Sequence, residues 1–166
     1  MTYMNLGLLS FEGVRQAKNM HPLFVHFPLA LIPTSFCFYG IGIVKGRRDF
    51  AFAGRAILLL AFISTMLAFF TGFRAETTLG ISVPQGTLLR SHLACGSALM
   101  AMTVLLFAWS SANIDHLPRG RPIFLALLGL AAALTMVTGD LGAQMVLLRG
   151  ASVSCPAPGV HPGVVR

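Results

Sequence analysis

The chain has 166 residues, of which 55% are hydrophobic and only 10% charged, and it carries a formal net charge of +7. A soluble domain devotes about a quarter of its residues to charge, so this composition excludes a water-covered globule and makes the bilayer the solvent for most of the chain. The basic residues lie mainly in short connections between apolar runs, a pattern of topology signals and head-group contacts that argues against nucleic-acid binding.

Residues 1–21 place Leu6, Leu8, Leu9 and Phe11 ahead of Arg15 and Lys18. A secretory signal has the reverse order, so this stretch is expected to be an N-terminal segment lying at the membrane interface. The first span is predicted from about Pro22 to Val44, and it ends at a cluster of Lys45, Arg47 and Arg48. The second runs from about Ala53 to Phe73, the third from Ser91 to Ser111, and the fourth from Ile123 to Leu148. Each is at least ~20 residues long, enough for ~30 Å of hydrocarbon at ~1.5 Å per residue. None alternates polar with apolar residues, as barrel strands do, and an open sheet edge cannot be satisfied in lipid. The expected fold is therefore all-α: an integral membrane four-helix bundle over residues 22–149, with antiparallel neighbours. A Pro- and Gly-rich C-terminal tail follows from residue 150 to residue 166. Cys37, Cys95 and Cys155 form no CxxC pair, and their odd number argues against a disulfide framework.

The first span carries the most chemistry. Pro22 suits the first position of a helix, which puts His21 at the N-cap. Pro28 and Pro33 cannot donate to the carbonyls of Phe24 and Leu29, so a kink is expected. His21 and His26 are five residues apart, ~140° around an ideal helix, and converge only if His21 leaves the helix and bends back. The first and third spans run the same way, so His92, which opens the third, lies at the level of His26. The ends of the second and fourth spans bring Arg74, Glu76, Asp140, Gln144 and Arg149 to the same end of the bundle. Asp140 and Gln144 share a helix face at i, i+4. Ionisable groups in lipid face a partner or a cavity.

Two readings of that cluster stand side by side. In one, the polar side chains only lock helices together or dock a partner, as in a membrane anchor or structural subunit of a larger complex. In the other, His26 and His92 hold a b-type haem or a metal, with His21 as the alternative ligand. The second and fourth spans contain no histidine, so a second bis-histidine haem at the opposite face is not expected. A single haem would pass electrons at one surface, to quinone or to a redox partner subunit. A small-solute or proton permease is a third possibility suggested by the broken first span, but no repeat between the halves is legible. No nucleophile elbow, HExxH or phosphate loop is present. The Lys45–Arg48 cluster favours a cytoplasmic first loop, with both termini periplasmic in the inner membrane. Gly139 and Ala143 allow close helix contact in a homo- or hetero-oligomer.

The sequence His21-Pro22-x-x-Val25-His26-Phe27-Pro28-x-Ala30-Leu31, together with His92 and Gly139-Asp140-Leu141-Gly142-Ala143, resembles an uncharacterised bacterial family of four-helix membrane domains. The resemblance covers roughly Met20 to Val153. It implies a topology similar to b-type cytochromes and a redox or haem-associated role, carried by His21, His26, His92 and Asp140. Where the family pattern often has a tyrosine or histidine after the GDLG stretch, this chain has Leu147, Leu148 and Arg149. No aromatic or imidazole role is carried over to that end of the fourth helix.

Overall fold

The computed structural model describes residues 20–78, 86–112 and 118–149, with residues 76–78 and 149 in backbone only. The expected N-terminal interfacial segment and C-terminal tail lie almost wholly outside the described residues. Five helices follow in chain order: α1 (His21–Phe24), α2 (His26–Lys45), α3 (Arg48–Thr78), α4 (Gly86–Ser111) and α5 (Arg121–Arg149). Four stretches are long and apolar enough to cross a membrane: His21–Lys45, Arg48–Ala75, Gly86–Ser111 and Arg121–Leu148. The chain is a multi-pass, all-α membrane bundle, and its outer surface contacts lipid.

The first span is α1 and α2 joined at Val25. His21 lies inside α1, and Met20 takes the N-cap position without a side-chain bond. The Val25 N–H still reaches the His21 carbonyl at 3.2 Å. Pro28 has no N–H for the carbonyl of Phe24, and the helical ladder lapses there. Pro33, by contrast, is held within α2. The turn into α3 is short. Gly46 adopts a left-handed φ of 64°, a conformation that lacks the Cβ penalty only in glycine, and Arg47 N–H then closes on the Gly42 carbonyl at 2.9 Å. A Cβ on Gly42 would stand 2.8 Å from the backbone nitrogen of Ala51, so this glycine lets α2 and α3 approach. Arg47 Nε donates to Asp49 Oδ1 at 2.9 Å on the outside of the turn.

The spans form a closed square. α2 packs on α3 and α5, and α4 packs on the same two helices, so α2 faces α4 across one diagonal. Ile32, Tyr39, Leu58, Leu99, Leu106, Phe124 and Leu128 fill the interior. The buried threonine hydroxyls are satisfied locally, as lipid requires, whereas the buried Ser111 hydroxyl has no partner among the described residues. Thr65, Thr103 and Thr135 each donate to the carbonyl four residues earlier at 2.7 Å. Ser35 instead donates across the α2–α3 contact to the Gly54 carbonyl at 2.8 Å. Val44, Phe52, Leu105 and Leu147 each leave more than two thirds of their surface exposed. Water would penalise that outer surface, whereas acyl chains match it.

Candidate functional site

His21 stands two helical turns before the buried Pro28, so the α1 turn presents it on the interior face of the first span. Its Nδ1 lies 2.9 Å from the Ala68 carbonyl oxygen on α3 and 3.4 Å from the Thr71 hydroxyl. Thr71 itself donates to Leu67 at 2.7 Å and to Ala68 at 3.0 Å. On the opposite side of the square, Nδ1 of His92 lies 3.1 Å from the Thr138 carbonyl oxygen on α5. A carbonyl oxygen only accepts, so each imidazole donates from Nδ1, and the lone pair of each ring resides on Nε2. The two half-buried rings meet across the α2–α4 diagonal with centroids 6.0 Å apart and planes at 83°.

Two glycines make room for the rings. A Cβ at Gly72 would stand 2.9 Å from Cε1 of His21, and one at Gly142 would stand 3.3 Å from Cε1 of His92. Neither glycine was marked by its neighbours in sequence as serving a histidine. A glycine inside an apolar span reads first as helix packing, although Gly142 does belong to the GDLG stretch.

Of the three candidate histidines, the fold brings together His21 and His92. His26 opens α2 and is exposed on the outer surface, so it is not the ring that approaches His92. Asp140 is likewise exposed, and it accepts from Gln144 Nε2 at 2.6 Å within α5. Arg74 is exposed near the end of α3. The side chains of Glu76 and Arg149 lie outside the described residues, as do His116, His161 and Cys155. The polar residues thus gather at one end of the bundle, with the histidine pair directed inward and Arg74 and Asp140 outward.

The donor set limits what the pair can hold. Among the described residues, no group of three or more His, Cys, Asp or Glu side chains is placed to bind a metal ion. Structural zinc uses four protein ligands, whereas haem iron brings its in-plane ligands with it and takes axial histidines from the protein. With nitrogen–metal bonds of ~2.0–2.1 Å on opposite sides of one ion, two imidazole centroids stand roughly 6 Å apart. The observed centroid separation is 6.0 Å, with the two rings standing edge to face.

The chain matches, over residues 17–154, the sequence profile of a family described as a predicted membrane protein (DUF2231). No curated protein and no solved structure matches it.

Proposed function

We propose, from the premise that this chain belongs to the DUF2231 family of predicted membrane proteins, that it is a redox-associated membrane subunit holding one b-type haem iron between His21 and His92. One observation carries the reading: two imidazoles on diagonal helices, 6.0 Å apart, each donating its Nδ1 proton to a backbone carbonyl of the adjacent helix. That second-shell bond fixes the tautomer and raises the basicity of Nε2. The Ala68 and Thr138 carbonyls orient the rings, and the apolar helices around them lower the local dielectric and keep water out. A haem held there supplies a one-electron Fe(III)/Fe(II) couple. His21 and His92 lie at one end of their spans, so exchange occurs at one membrane face, with quinone or with a partner subunit. We place the protein in the inner membrane with the Lys45–Arg48 turn cytoplasmic, which puts the histidine end at the periplasmic face.

The test is a dithionite-reduced minus oxidised visible spectrum of the detergent-purified protein, with haem quantified by pyridine extraction. The expected result is a b-type α-band at about one haem per chain, the stoichiometry of a bis-histidine site. It should be lost in His21→Ala and in His92→Ala and kept in His26→Ala. A colourless protein from haem-supplied cells would sink the proposal.

A second reading draws on the same hydrogen bonds. His21 ties α1 to α3 and His92 ties α4 to α5, which by itself serves a non-catalytic anchor. On that reading the histidine variants lower the unfolding temperature of a protein that carries no cofactor.

A further inference from the structure

The sequence read as a string shows no repeat, yet the structure aligns its halves. α2 buries Pro28, Ile32, Ser35 and Tyr39, and α4 buries Leu99, Thr103, Leu106 and Ser110. Each residue of the second set lies 71 positions after its counterpart (28 to 99, 39 to 110), as His92 does after His21. α3 buries Gly54, Leu58, Ala61 and Thr65, and α5 buries Phe124, Leu128, Ala131 and Thr135, a shift of 70 (58 to 128). Spacings of four and three recur on any bundle helix, so burial alone does not carry the argument.

The interhelical details keep the same register. Ala68 and Thr138, the carbonyls that accept from the two histidines, are 70 apart, and so are Gly72 and Gly142, the glycines that clear the two rings. Thr65 and Thr135 make the same 2.7 Å bond to Ala61 and Ala131. Met66 and Met136 follow them in both copies. The cyclic packing order of the spans maps onto itself under a half-turn. Residues equivalent under a twofold meet at its axis, and two such pairs do. His21 faces His92 at one end, and the Tyr39 side chain approaches that of Ser110 at the other.

We infer that the bundle is a duplicated helical hairpin with a pseudo-twofold axis along the membrane normal, and that His21 and His92 are equivalent halves of one ligand site on that axis. The nature of the ligand rests on the haem reading above; the equivalence of the two rings does not. Such a site takes a centre that accepts nitrogen equally from two opposite sides. A haem bound there would be held by His21 and His92 alike and would supply electron-transfer chemistry rather than binding of oxygen or carbon monoxide. Among the described residues the copies differ beside the rings at Ala68 and Thr138, and at Thr71, near Nδ1 of His21, whose counterpart is Leu141.

The experiment titrates haem b into the purified full-length protein, its His21→Ala and His92→Ala variants, and records the ferric spin state. It also collects imidazole ¹⁵N spectra of the haem-free protein. Both variants should lose the low-spin signature, and their affinities should fall by more than ~100-fold, beyond the ~10–100-fold of outer-shell losses, and by similar factors. If an alanine variant fails to purify, glutamine at that position removes the ring while keeping a donor for the carbonyl. Loss in one variant with the other unchanged overturns the equivalence and the paired ligation, and leaves only haem binding through the remaining histidine. If the wild type takes up no haem, the haem reading fails and the ¹⁵N spectra decide. Both rings in the Nδ1–H tautomer uphold the equivalence, and opposite tautomers overturn it.

Discussion

The methyl group that Gly72 lacks would stand 2.9 Å from Cε1 of His21, closer than side-chain carbons approach one another, whereas at Gly142 the corresponding gap to His92 is 3.3 Å. Gly72→Ala must therefore displace the His21 ring from the Ala68 carbonyl. Overpacking of this kind costs about 1–3 kcal/mol, and the ring loses its fixed tautomer as well. Gly142→Ala asks its neighbour to yield by only a few tenths of an ångström, so its cost should be smaller. Thermal unfolding in detergent, followed by near-ultraviolet circular dichroism, checks both. A Gly72→Ala protein as stable as the wild type would contradict the close approach. The histidines were legible in the sequence because imidazoles bordering apolar spans stand out. Which pair converges was not read from it, because His26 was matched to His92 by depth, whereas the seven-residue steps from His21 to Pro28 and from His92 to Leu99 put those two rings on the buried faces of their spans.

At the scale of elements, the four spans were legible from hydropathy alone, but their ends were not. α3 extends over Arg48–Thr78, beyond the apolar stretch from Ala53 to Phe73, because a helix need not stop where the hydrocarbon does. The duplication was hidden for a different reason. Identities concentrate in α3 and α5, as at Leu58 and Leu128 or Thr65 and Thr135, while elsewhere bulk is traded between copies. Tyr39 packs over Gly54, and the equivalent positions hold Ser110 and Phe124. Pro28 gives this scale its prediction. Pro28→Ala restores an N–H for the Phe24 carbonyl, so α1 and α2 should fuse into one continuous helix in which His21 stays two turns before residue 28 and on the buried face. The expected outcome is unchanged or higher thermal stability with the His21 ¹⁵N signature of the Nδ1-bonded ring retained. Loss of that signature would show that the proline break sets the approach of the ring to Ala68. Across the α2–α3 contact, Ser35→Ala removes the bond to Gly54. It should lower stability by ~0.6 kcal/mol, the average for such bonds in membrane bundles, measurable by denaturant unfolding.

For the whole molecule, the composition sufficed to put the chain in a bilayer, but the basic residues divide too evenly between the two sides for charge alone to fix its direction. A cysteine-free background with either Thr87→Cys, at the histidine end of α4, or Ala112→Cys, just past its other end, reads the orientation directly. Both positions are exposed. With the Lys45–Arg48 turn cytoplasmic, a membrane-impermeant thiol reagent added to spheroplasts should label Thr87→Cys and spare Ala112→Cys until the membrane is opened. The reverse pattern would move the histidine pair to the cytoplasmic face. The brevity of the Gly46–Arg47 turn also bears on how the protein is made. Synthesis adds ~5–20 residues per second, so the hairpin ending at Thr78 leaves the ribosome several seconds before α5 does. During that interval the nascent chain can already seat His21 against Ala68, but its opposing ring has no carbonyl to lean on until Thr138 emerges. The histidine pair is thus half-built during translation, and only the arrival of Thr138 gives its second ring a fixed tautomer.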